Sequence, residues 1–149
     1  DMLYNAGNLA YSNAMFDKAI EKYDILLEKN YTGENTTYVA VNASGVEESF
    51  LTKKLRDYAV LSKSHTNPTS ETSISKLGGI VLKVVWLYMN KDEKAKAKLI
   101  YETALGNYPE DISLKLVKAD IFLTLEMMDE YKEAVENTDL NITDPKVYD

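Results

Sequence analysis

The sequence predicts a mostly α-helical chain, a solenoid of about three helical hairpins with a β-hairpin plus helix inserted between the first and the second. Three observations carry this. An apolar pattern of helical period begins at Leu3 and returns at Val81 and Ile112. Small and aromatic residues recur inside it at fixed offsets. Between its first two occurrences lies a stretch rich in β-formers.

The second occurrence shows the pattern most plainly. Val81, Val84, Val85 and Tyr88 share one helical face, and Ala97, Tyr101, Ala104 and Pro109 follow. Small residues suit positions where two helices cross closely, aromatics fill the gaps between helices, and proline ends the second helix. In the first occurrence Leu3-Tyr4-Asn5-Ala6-Gly7-Asn8-Leu9-Ala10-Tyr11 precedes Phe16-Asp17-Lys18-Ala19-Ile20-Glu21-Lys22-Tyr23. Gly7 and Ala19 are the expected crossing residues, with Tyr23 packing between the helices. A 34-residue shift carries Val85 to Ala119, Tyr88 to Phe122, Tyr101 to Val135 and Ala104 to Thr138. It also carries Ala97 to Tyr131, too large for a close crossing, so the third hairpin is expected to be looser. The expected boundaries are 1–33 for repeat one, 34–77 for the insert, 78–111 for repeat two, 112–145 for repeat three and 146–149 for the start of a further repeat. Such an array exposes apolar surface at a cut end, so a longer native chain or self-association is expected.

Within the insert, Thr36-Thr37-Tyr38-Val39-Ala40-Val41 reads as a strand, Asn42-Ala43-Ser44-Gly45 as a turn and Val46-Glu47-Glu48-Ser49-Phe50 as a returning strand. Residues 53–62 place Leu55, Tyr58 and Leu61 at helical spacing. Residues 65–75 are polar and contain Pro68, so they read as a loop. Ser73 or Ser75 is positioned to cap the helix that follows. The insert is either a functional element or a linker that covers apolar surface between repeats.

The hairpin pattern, Large-x2-Large-Small-x2-Aromatic followed by Ala-x3-Tyr-x2-Ala-x4-Pro, resembles the tetratricopeptide-repeat family. Asn30-Tyr31-Thr32-Gly33-Glu34-Asn35-Thr36-Thr37-Tyr38, Ala40-Val41-Asn42 and His65-Thr66-Asn67-Pro68 extend the likeness to exported members of that family from Bacteroidota-type bacteria. The resemblance implies a periplasmic or otherwise exported protein, with a cytoplasmic one as the alternative. It also implies a concave groove lined by the first helix of each repeat, where peptides dock. Carried onto this sequence, the groove positions are Tyr4, Asn8 and Tyr11, then Leu82, Trp86 and Met89, then Leu116, Asp120 and Leu123, with Asn90 as a further polar point. Trp86 is the sole tryptophan. These residues are either a hydrophobic docking surface or a surface already filled. The near-continuous apolar run 80–89 equally fits a helix buried on both sides. Family members that clamp a chaperone's acidic tail use basic residues on these helices. Asn8 matches one clamp position, but Tyr4, Ser113 and Val117 stand where the cations belong, so no such binding is expected.

Charge and composition narrow the function further. With 17 basic and 24 acidic residues the net charge is −7, which disfavours phosphate backbones and hence nucleic acid. The chain has no cysteine, and therefore no disulfide, thiolate metal site or cysteine nucleophile. No apolar run is long enough to span a bilayer. The chain opens at Asp1 inside a helical pattern, and a removed N-terminal piece is expected. The single histidine, His65, falls in the polar stretch and is expected to face solvent. No phosphate loop, zinc motif or calcium loop occurs. Adjacent acidic pairs such as Glu47-Glu48 or Asp92-Glu93 point apart, on a strand as on a helix, and make poor acid–base couples. The sequons at Asn30, Asn35, Asn42 and Asn141 carry little weight in a chain this rich in Asn, Ser and Thr. The expected function is therefore a non-catalytic protein-interaction scaffold without catalytic, cofactor or metal residues. Its protein or peptide partner is not written in the sequence. Self-assembly within a larger envelope protein is the alternative, and glycan binding a weaker one.

Overall fold

The computed structural model describes residues 1–141, and the expected end of repeat three and the residues 146–149 fall outside that range. The described chain is mostly helical with a small three-stranded sheet. It divides into two compact units. One comprises Asp1–Gly33 together with the residues from Ser75 on, and the other is Glu34–Ile74.

The first unit holds three helical hairpins: α1 (Met2–Ser12) with α2 (Phe16–Glu28), α4 (Leu77–Asn90) with α5 (Lys94–Asn107), and α6 (Ile112–Thr124) with α7 (Met128–Asn141). They pack in sequence order, α2 against α4 and α4 against α6. Each hairpin turns in the same way. Ala14, Asp92 and Glu126 adopt left-handed backbone conformations at φ of 57–59°. In each case the next residue's amide reaches back to close a Schellman-type cap: Met15 to Ala10, Glu93 to Tyr88, Met127 to Phe122. The last two turns lie 34 residues apart, the period of the apolar pattern.

Packing follows the small residues. Gly7 is buried against Tyr23, and a Cβ there would lie 2.7 Å from the Tyr23 ring. Ala19 and Tyr23 are fully buried. Burying an aromatic of this size contributes on the order of 2–3 kcal/mol. Its hydroxyl is satisfied by donating to Asn8 Oδ1 at 2.6 Å. Ala97 is sealed between α4 and α5, whereas Tyr131, at the equivalent place in the third hairpin, is half-buried. Ala134, three residues on, is the buried small residue there. The sequence had no marker for the closest approach in the unit. A Cβ on Gly78 would overlap the Ser113 carbonyl, and the Gly78 amide donates to Ser113 Oγ at 2.8 Å. The Gly78-Gly79 pair thus splits in role, since Gly79 faces open space. Ser75 Oγ accepts from the Leu77 amide at 3.0 Å, while Ser73 Oγ serves the Asn35 amide instead.

The second unit is an antiparallel sheet ordered β2-β1-β3, with β1 at Thr36–Asn42, β2 at Glu47–Phe50 and β3 at His65–Thr72, plus α3 (Lys53–Leu61). Asn42 shapes the hairpin turn, its Oδ1 accepting from the Ser44 and Val46 amides, with Gly45 at φ 80°.

The expected loop over 65–75 is corrected by β3. Proline argues against a central strand, but β3 is an edge strand and Pro68 sits in a bulge between the Val39–Thr69 and Val41–Thr66 pairs. Asn67, at φ 51°, absorbs the extra residue. The apolar spacing in α3 is also inverted. Arg56 and Ala59 are buried, whereas Leu55, Tyr58 and Leu61 are exposed, the last two at 71% and 81%. Arg56 donates to the Thr69 carbonyl at 2.7 Å and to Ser70 Oγ at 2.8 Å, and stacks over the Tyr38 ring. A charged head with several acceptors and a long apolar stem fills this site better than leucine would.

Candidate functional site

The strongest site in the helical unit forms where α1, α2, α4 and α6 present their outward faces. Helix α4 is buried along most of its circumference. Its exposed stripe runs through Lys83, Trp86 and Asn90, at the helical repeat of i, i+3 and i+7. Trp86 retains 37% of its accessible surface, so it is neither core nor covered. Tyr11 meets its ring edge-on at a centroid distance of 5.6 Å, and Phe16 does so at 5.3 Å. Such tilted pairs are the preferred aromatic geometry and hold the indole in place. Beside it opens a pocket of about 320 Å³ lined by Trp86, Met89, Asn90, Leu123, Thr124 and Glu126.

Of the expected groove residues, Trp86, Met89, Asn90 and Leu123 therefore converge on one pocket, and Tyr11 joins through the Trp86 ring. Asn90 is oriented by its own bond to the Trp86 carbonyl, 3.1 Å away. Asn8 is spent internally, because its Oδ1 accepts from both Tyr23 and Lys83. Tyr4 lies elsewhere, with Tyr31 5.9 Å away and Lys76 over its ring. Leu82 packs partly into the core, as does Val117. Leu116 is half-buried, and Asp120 is exposed, its carbonyl taking the Thr124 hydroxyl.

Sequence reasoning did not place Phe16 and Lys83 in this surface. Phe16 starts α2 beyond a turn, and only the Schellman geometry brings it under Trp86. Lys83 reads as an interruption of the apolar run, but its ammonium lies over the Tyr11 ring at 5.3 Å and bonds Asn8 at 3.0 Å. The surface thus joins an aromatic patch, with Lys83 beside it, to a pocket whose polar lining is Asn90, Thr124 and Glu126. It holds no nucleophile–base pair.

The β unit carries a separate polar cluster. His65, expected to face solvent, is largely covered, its side chain 13% exposed. Its Nε2 is 2.8 Å from Glu48 Oε2 and its Nδ1 2.8 Å from Ser64 Oγ, while Phe50 meets its ring edge-on. Pairing across the sheet makes this possible, since Asn42 faces His65 and Ala40 faces Glu48. Asn42 also donates to Glu48 Oε1, and these bonds, the one from Asn42 foremost, hold the Glu48 carboxyl below its usual range. The hydrogen bonds run along the sheet and the Ser64 hydroxyl also reaches the Ala59 carbonyl, so the cluster ties α3 to the sheet.

Among the described residues no group of His, Asp and Glu is arranged to hold a metal ion, and no helix is long and apolar enough to cross a membrane. No protein-family model, no curated protein and no solved structure matches the chain.

Proposed function

We propose that the chain is a non-catalytic, tetratricopeptide-type scaffold that docks a protein or peptide partner on the surface around Trp86. The single observation that supports this most is an indole clamped by two rings, yet more than a third exposed, beside an open pocket lined by Met89 and Leu123. Tryptophan, tyrosine and methionine are over-represented where proteins meet, and the largest losses on truncation come from such anchors. The shared geometry of the three hairpin turns, and the 34-residue interval between the last two, support the repeat reading. An exported, periplasmic setting is part of the proposal and rests on the sequence resemblance.

The test is selection of peptides from a displayed library on the wild-type chain, followed by titration against Trp86→Ala, with folding of both checked by circular dichroism. We expect the enriched peptides to lose at least tenfold in affinity, about 1.4 kcal/mol, on the variant. Peptides that bind both chains equally would remove Trp86 from the site.

Self-assembly is favoured by a different observation. Ile112, Met128 and Val135 are all exposed on the last described hairpin, as expected of a repeat that stacks on another. Sedimentation across a concentration series tests it, and a monomer throughout would count against it.

A further inference from the structure

A second concavity in the helical unit, away from Trp86, lies between α2 and α5 over the start of α4. Its floor and walls are Leu27, Leu77, Ile100 and Ala104, and Leu99 stands at its mouth, 62% exposed. Its volume is about 160 Å³. None of the residues that line it is charged. Of the two tyrosines at its rim, Tyr31 donates to Asp1 at 2.5 Å and Tyr108 reaches the carbonyl of Asn30, itself a lining residue, at 3.4 Å.

We infer that this cleft is a binding site for a neutral apolar group of benzene's size, a ring or a branched aliphatic end. Volume and chemistry both select it. An apolar cavity of about 150 Å³ accepts benzene, and this cleft is mostly apolar, with Asn30, Thr103 and Asn107 as its polar lining beside the tyrosines. A charged group would be desolvated here without a counter-charge, which strongly disfavours it. The site stands independently of the surface around Trp86, so either can fail alone.

The test follows methyl resonances of Leu27, Leu77, Leu99 and Ile100 during titration with toluene, with benzoate as the charged control. N-acetyl-phenylalaninamide, which presents the same ring on a peptide, distinguishes a free ligand from a partner's side chain. We expect saturable shifts confined to these methyls, with a dissociation constant of about 0.1–5 mM for so small a ligand, and none with benzoate. Ala104→Leu, which fills the cleft, is expected to weaken the response at least tenfold. Should that variant fold poorly by circular dichroism, Leu99→Lys places a cation at the mouth on an exposed position and is expected to weaken binding likewise. Absence of saturable shifts at these methyls, or toluene binding unchanged in the folded variants, would overturn the inference.

Discussion

The two units bury their interiors with opposite kinds of side chain. The helical unit is held by apolar packing, with Ile80, Val81, Val84, Val85 and Leu87 enclosed on α4 and with glycine or alanine where helices approach closely. Its buried polar groups are mostly tyrosine hydroxyls. The β unit encloses Val39, Ala40 and Ala59, and beyond these its α3 is fastened to the sheet by Arg56 and its hydrogen bonds. Geometry explains the difference. Three stacked hairpins have many residues on inward faces, whereas one nine-residue helix on three short strands has few, so a long side chain with several donors supplies what apolar area cannot.

Substitutions that break each device sharpen this contrast. The largest effect is expected in the helical unit from Gly78→Ala. The added methyl meets the Ser113 backbone, which cannot rotate aside, and the overpacking is expected to cost about 3 kcal/mol despite alanine's better helix propensity. Gly79→Ala meets nothing and is expected to be neutral or stabilising by up to about 1 kcal/mol. Chemical denaturation of the pair measures the difference. Equal stabilities would mean that α4 and α6 do not approach at Gly78.

Arg56→Met keeps the apolar stem and removes the donors. A loss of about 2 kcal/mol is expected, confined to the β unit, because charged hydrogen bonds to the Thr69 carbonyl and Ser70 disappear. Hydrogen exchange of the Val39 and Val41 amides reads it directly. Unchanged protection would show that Tyr38 and Ala59 suffice to hold α3.

pH separates the units in opposite directions. Burial foremost, with help from Tyr4 and Tyr11, pushes Tyr23 up to about 12 from 10.0, and burial together with the Asp24 hydrogen bond raises Tyr88. A raised folded value stabilises fully below pH about 10 and is lost on the way to about 12, so the helical unit is expected to melt at lower temperature across that window. Glu48 is lowered, so its contribution is present above 4.5 and fades as pH falls below it. Thermal melts followed by far-ultraviolet circular dichroism report the alkaline arm, and the Val39 methyl resonances report the acid arm. If both units respond only to alkali, the Glu48–His65 contact does not stabilise the sheet.

The smallest effect is a gain. The Tyr101 hydroxyl is buried with no hydrogen-bond partner among the described residues. Tyr101→Phe keeps the ring against Phe122 and removes the unpaired group, for an expected stabilisation of about 1 kcal/mol by denaturant titration. Destabilisation by the same amount would imply that the hydroxyl is satisfied.

Much of the helical architecture was legible because a helix buried on one face needs apolar residues at its own period. Leu3 onward, Val81 onward and Ile112 onward carry that period, and Gly7, Ala19 and Ala97 declare close crossings by their size. The β-hairpin was legible through its alternating β-formers and the Asn42–Gly45 turn. Beyond those local signals the tertiary structure decided the outcome. Pro68 became tolerable where β3 is an edge strand and a bulge interrupts its pairing with β1. Arg56 was selected for burial over Leu55 by acceptors supplied from β3, which no helical periodicity encodes. Gly78 was required by a backbone 35 residues away. In the candidate site Trp86, Met89 and Asn90 share one helix and were readable together, but Phe16 and Lys83 joined them through a hairpin turn and a ring contact. Period and residue size act along the chain, and are visible in it. Edge position, acceptor supply and close backbone approach exist only once separate segments have met.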